Sequence, residues 1–204
     1  MKMFCLVHAG GFAMRYDAMA DMMAKKSNDG ITLIPLEYAG RGKKYGQPFY
    51  STFDELTHSM SEEISGMLGP SEPYCLFGHS MGAYAAIETA YQMQKVHHNA
   101  PVMTILSGAA SPYVAAKQEV GMSNEEMIAY LRDIGGTEEN VLKNRIFETE
   151  LLPILQADLD TLRTYRFAHE GELLPSYIVA TYGQEDPAYR IGQVEDWKTV
   201  VGKD

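Results

Sequence analysis

The stretch YCLFGHSMGAYAAIETAY, Tyr74 to Tyr91, reads as a strand, a tight turn and a helix with one serine at the turn. Tyr74–Phe77 is an apolar run short enough for a buried strand, and the alanine-rich segment after Gly82 carries strong helix formers. Gly78-His79-Ser80-Met81-Gly82 between them fits a G-x-S-x-G elbow. The bare pattern occurs by chance in glycine-rich chains, so the context must confirm it. Here a strand precedes it, a helix follows, and Ala83, Ala85 and Ala86 keep the neighbourhood small.

The spacing has a chemical reason. A sharp strand-to-helix turn places the serine hydroxyl above a sheet, and flanking glycines let strand and helix pack closely. Ser80 is then a candidate nucleophile, and the backbone N–H of Met81 a candidate oxyanion donor. A second donor is expected in the loop after an earlier strand, and VHAGGF points to the N–H of Ala9. An acid belongs after a later strand. Asp186 in IVATYGQEDP sits there, where an ordinary turn aspartate is an equal reading.

Outward from the elbow, further apolar runs alternate with helical segments. MFCLVHAG, ITLIPLEY, PYCLFG, APVMTILSG and LLPSYIVATYG read as strands. AMRYDAMADMMAKK reads as a helix with Met14, Ala18, Met22 and Met23 filling core. TFDELTHSMSEEISGML reads as an amphipathic helix with Phe53, Leu56, Met60 and Ile64 on one face. Apolar strands separated by helices predict an α/β protein with a mostly parallel sheet and helices on both faces. Between the last two strands, Ala110 to Leu173 forms a helical insert too long for a simple crossover and is expected to act as a lid.

Composition narrows the function. The 204 residues carry 17 Lys and Arg against 27 Asp and Glu, a net charge of −10, which argues against nucleic-acid binding. Local basic residues, Arg41, Lys43 and Lys44, offer a possible patch for an acidic partner, and a solvated surface is the plainer reading. Cys5 and Cys75 lie in strand-like runs and read as reduced core thiols of a cytoplasmic protein. No metal-ligand spacing and no phosphate loop is present, and the N-terminal apolar run is too short for a signal peptide.

These segments together resemble the type II thioesterases of polyketide and nonribosomal peptide synthesis, which have the α/β-hydrolase fold. The resemblance runs over essentially the whole chain. FCLVHAGGFAMRY is similar to the family's Pro-Tyr-Ala-Gly-Gly-Ser-Ala segment, with Val7-His8 in place of Pro-Tyr. PLEYAGRGKKYGQP is similar to its Pro-Gly-Arg-Gly loop, with Ala39 in place of the proline. FGHSMGAYAA matches closely, LLPILQADLDTLRTY resembles the final lid helices, and YGQEDP the loop of the triad acid. The resemblance implies Ser80 as nucleophile, Asp186 as triad acid, and Ala9 and Met81 as oxyanion donors. It implies a substrate acyl group on the phosphopantetheine arm of a carrier protein, no cofactor of the enzyme's own, and a monomer.

The resemblance also implies a catalytic histidine about 25 to 30 residues after the acid, in the chain order Ser, Asp, His. That count passes Asp204. Of the six histidines, His79 should point away from the serine beside it, and His97 and His98 should sit in solvent after a helix. His58 belongs to a distant helix, His169 reads as a surface-loop residue that could approach the site, and His8 could orient backbone. The expectation is a single domain, 1–204, truncated before the catalytic histidine and impaired in turnover in this form. Two other readings stay open: a general α/β-hydrolase esterase, and a carrier-binding protein without catalysis if the chain is naturally this short.

Overall fold

Five strands pair in parallel in the order β2-β1-β3-β4-β5: β1 Lys2–Leu6, β2 Thr32–Pro35, β3 Tyr74–His79, β4 Met103–Ser107 and β5 Tyr177–Thr181. This computed structural model describes residues 1–26, 30–112, 123–134, 137–185 and Trp197. Register aligns Leu6 with Gly78, His79 with Ser107, and Ser107 with Thr181. The carboxyl ends of β1, β3, β4 and β5 therefore form one row. Strand order reverses between β1 and β3, and ligands of such sheets bind in the crevice outside that reversal.

The inner strands are apolar on both faces because helices cover both. Phe4, Cys5, Leu6, Tyr74 and Leu76 are buried. β5, at the edge of the described sheet, alternates exposed and half-buried residues. Burial pushes the Cys5 thiol up to about 12, and Cys75 also rises, so both are free, inert core thiols.

Three helices frame the sheet: α1 Asp17–Lys26, α2 Phe53–Met67 and α3 Met81–His97. Thr52 caps α2 by accepting the Glu55 N–H at 3.2 Å, while the Glu55 carboxylate accepts the Ser51 N–H at 2.8 Å. Phe53, Leu56, Met60 and Ile64 are buried, as their spacing predicts. The face of α1 is different from the expected one. Met14 and Met22 are exposed at 71% and 55%, and Ala18 is exposed too. Of the four expected residues Met23 packs against the core, together with Tyr16, Met19 and Ala20. Methionine and alanine occur around the whole helix, so periodicity alone leaves its phase open. Tyr16 fixes it by donating its hydroxyl to the Leu6 carbonyl at 3.2 Å.

Between β4 and β5 the described residues form α4 Asn124–Ile134, α5 Glu139–Leu142, a π-helical turn Phe147–Leu151 and α6 Leu152–Arg163. Met127, Leu142, Phe147 and Leu152 make a small separate core there. The insert is tied down along α6: Thr161 donates to the Tyr50 carbonyl at 2.7 Å, and Thr164, just past its end, accepts the Phe53 N–H at 2.8 Å. No helix among the described residues is long and apolar enough to cross a membrane.

Met60→Ala is expected to cost about 2–5 kcal/mol in urea denaturation, and Met22→Ala less than about 0.5 kcal/mol. Equal losses would contradict the face assigned to α1.

Candidate active site

β3 ends at His79 and α3 begins at Met81, so Ser80 alone makes the turn. Its φ of 55° and ψ of −121° lie where residues other than glycine are uncommon. Such strain costs roughly 1–3 kcal/mol and persists only where the surroundings impose it. Here the Ser80 N–H donates to the Ser107 carbonyl at 2.8 Å, and the Ala83 N–H to the Ser80 carbonyl at 2.9 Å. The glycines follow from contact between backbones. A Cβ on Gly78 would lie 1.9 Å from the Gly82 carbonyl oxygen, and one on Gly82 would lie 2.3 Å from that of Leu6. The start of α3 thus rests directly on the end of β1. Ser80 stays half-exposed above it.

The loop after β1 meets the elbow at this crevice. His8 to Gly11 form a turn closed by the Gly11 N–H on the His8 carbonyl at 2.9 Å. Gly10 has a φ of 72°, the left-handed value a type II turn requires at its third residue. The central peptide, between Ala9 and Gly10, is held at both ends. Its carbonyl lies 2.9 Å from His8 Nδ1, and its N–H donates to Asp158 Oδ2 at 2.7 Å. A carbonyl only accepts, so His8 Nδ1 must carry the proton. Met81, as the first residue of α3, has an N–H without an intrahelical acceptor. Asp186 lies outside the described residues, five positions after the end of β5.

Arg41 is placed otherwise than its sequence context implied. It is buried at 1% exposure, and both terminal nitrogens donate to Asp158, one of them to Oδ2 at 2.6 Å. It also donates to the Gly11 carbonyl at 3.1 Å and lies over the Tyr38 ring. Lys44 pairs with Glu63 at 2.6 Å. The expected patch therefore loses two of its three cations: Arg41 is neutralised inside the protein and Lys44 is paired, while Lys43 stays exposed. Asp158 went unnoticed in the sequence, although it had a signal. Ile154, Asp158 and Thr161 share the buried face of α6 at helical spacing, and a carboxylate there requires a partner.

The histidines sort by their partners. His79 is exposed with Nδ1 3.2 Å from the Ser107 hydroxyl, and its ring meets that of His8 edge-on at 6.1 Å. His8 orients backbone, as expected. His97 departs from expectation: it is the last residue of α3 and binds α2 through Ser65 at 3.1 Å and Glu62 at 3.2 Å. His169 is not a surface residue. It is buried, stacked on Tyr91 at 3.8 Å, and lies between Glu88 at 2.8 Å and Glu172 at 3.0 Å. Burial disfavours its charge, and hydrogen bonds and attraction from Glu88 and Glu172 outweigh this and raise its pKa. Among the described residues, no histidine hydrogen-bonds the Ser80 hydroxyl.

A parallel sheet with a strained serine between two glycines, placed where the strand order reverses, is the architecture of the α/β-hydrolase class. The chain belongs to the thioesterase domain family, whose model matches residues 1–204. Enzymes of that family are hydrolases that cleave thioesters through an acylated serine. The chain is 25% identical to the medium-chain S-acyl fatty acid synthase thioesterase of Rattus norvegicus, over 98% of this chain and 75% of that one. It is 27% identical to a probable cadicidin biosynthesis thioesterase of Streptomyces griseus, over 97% of this chain and 53% of that protein. The type II thioesterase BorB from the borrelidin biosynthetic cluster superposes with a TM-score of 0.81 at 27% identity, over 98% of this chain and 79% of that one. The chain thus spans about half the length of one of these relatives and about three quarters of the others.

Gly82→Ala should destabilise the protein by about 1–3 kcal/mol through the clash with the Leu6 carbonyl; an unchanged urea midpoint would contradict this contact. His169 gives a pH test. A pKa raised by folding contributes stability that is complete below about 6.5, the ordinary value, and lost as pH rises through the higher native value. His169→Asn should therefore lose more unfolding free energy at pH 5.5 than at pH 8.5, and the reverse order would refute the clamp.

Proposed function

We propose that this protein is a type II thioesterase that hydrolyses acyl groups from the phosphopantetheine arm of carrier proteins in polyketide or nonribosomal peptide biosynthesis. The observation that carries the reading is the strained Ser80, held where the strand order reverses in a chain of the thioesterase domain family.

In this mechanism the Ser80 hydroxyl attacks the thioester carbonyl carbon, and the tetrahedral oxyanion accepts the N–H groups of Ala9 and Met81. Collapse expels the pantetheine thiol, whose thiolate is a much weaker base than an alkoxide and so a better leaving group. Water then attacks the serine ester and releases the acid. The serine proton passes to a histidine base that, by the resemblance, follows Asp186 in the chain and is oriented by it; none of the six histidines in these 204 residues follows Asp186. The reaction needs no cofactor beyond the arm on the substrate, and the insert 110–173 acts as the lid under which that arm threads. The partner is a carrier domain, met by a monomer in the cytoplasm. Because Arg41 is buried, the carrier docks without it.

The test compares hydrolysis of an acyl-phosphopantetheinyl carrier with that of aryl esters, in the protein and in Ser80→Ala. In a form that carries the histidine base, Ser80→Ala should lower kcat/KM on the carrier substrate by at least about 10³-fold, and the acyl adduct seen by intact-mass spectrometry should vanish; these 204 residues alone should turn over little. Full turnover in Ser80→Ala would end the serine mechanism. A higher kcat/KM on aryl esters than on the carrier thioester would favour a general esterase.

A further inference from the structure

Asp158 and Arg41 form a buried pair, and neither is a catalytic group by position. Asp158 stands on α6, in the insert, while Arg41 stands on the loop after β2. Both end on the same turn. Asp158 Oδ2 accepts the Gly10 N–H at 2.7 Å, and Arg41 donates to the Gly11 carbonyl at 3.1 Å. Leu155, one turn earlier on α6, lies 3.2 Å from where a Cβ on Gly10 would be. His8 holds the Ala9 carbonyl from the opposite end of the same peptide.

A turn with a left-handed glycine has an alternative in which its central peptide flips. Flipping would remove the Gly10 N–H from Asp158 and the Ala9 carbonyl from His8 together. The rotation of that peptide bears on the adjoining one, which carries the Ala9 N–H. A buried carboxylate without its guanidinium would be strongly disfavoured, so Asp158 serves the turn only while Arg41 neutralises it. The two residues act as one unit.

We propose that Arg41 and Asp158 are positioning residues that make the oxyanion loop depend on the seating of α6. This rests on the thioesterase reading above. When α6 is docked, Asp158 fixes the Gly10 amide and the loop presents its donor. Without Asp158 the turn loses that anchor and Arg41 loses its counter-charge. The geometry of the oxyanion loop is then set by the packing of α6, through one carboxylate and its guanidinium.

In a form that carries the histidine base, the experiment measures kcat and KM separately on an acyl-phosphopantetheinyl carrier, together with the inhibition constant of an alkyl boronic acid, whose serine adduct mimics the tetrahedral oxyanion. Asp158→Ala and Arg41→Ala should lower kcat about 10²-fold and weaken the boronate by a similar factor, with KM within about threefold. Asp158→Asn keeps an oxygen for the Gly10 N–H and should recover about tenfold of both losses. A lower urea midpoint with unchanged kcat and boronate affinity would overturn the proposal. If the alanine variants do not fold, Asp158→Asn and Arg41→Lys decide it: wild-type kcat and boronate affinity in both refute the positioning role, and a roughly tenfold loss of both at unchanged KM in Arg41→Lys, which gives up the two-pronged contact, supports it. Ser80→Ala on the same substrate separates the two claims. Turnover surviving there defeats the serine mechanism, whereas turnover lost there but kept in the pair variants defeats only the positioning.

Discussion

The site depends on a contact between bare backbones, where α3 begins against the last carbonyls of β1. No side chain separates Gly82 from Leu6 and Val7, and none separates Gly78 from Gly82. This closeness sets the angle at which the chain leaves β3 and forces Ser80 into its strained, positive-φ conformation. It also brings the loop after β1 to the serine, because that loop starts at the strand end on which α3 rests. One steric constraint thus produces the strained residue and its neighbourhood together. Backbone bonds from Ser107 and Ala83 then hold the strained peptide in place.

A second layer of organisation is electrostatic. Removing two charges from water is costly, and a buried pair is weak evidence for stability in itself. The Arg41–Asp158 pair is better understood through what it satisfies: two nitrogens of the guanidinium, both carboxylate oxygens, one amide and one carbonyl of the glycine turn. The His169 cluster has a similar character. It ties the chain segment leading back to β5 onto α3 through Glu88, Glu172 and the stacked Tyr91. Both clusters join segments far apart in sequence, in places where apolar packing alone would leave the register of a loop open.

What could be read from the sequence was whatever has a local cause. Strand positions followed from short apolar runs, the face of α2 from the spacing of Phe53, Leu56, Met60 and Ile64, and the elbow from glycines around one serine. The face of α1 could not be read, because apolar residues surround that helix and only the Tyr16 bond to Leu6 selects one side. Arg41 looked like a surface cation because its partner lies 117 residues later. His169 looked like a loop residue for the same reason, with Glu88 81 residues before it. Long-range ion pairs leave little trace in local composition, apart from a charge standing on an apolar face, as Asp158 does.

The π-helical turn Phe147–Leu151 has a bearing on helical phase. It lies within a continuous coil that starts at Arg145 and runs on as α6. A wider turn of this kind accommodates an extra residue without breaking the helix. Each α-helical residue turns the side chains by about 100°, so the count of residues in that turn decides which way every later side chain faces. With the turn as it is, Ile154, Asp158 and Thr161 face the body of the protein. The wide turn therefore works as a phase shifter, indexing one carboxylate onto one amide four positions beyond the start of the inward face.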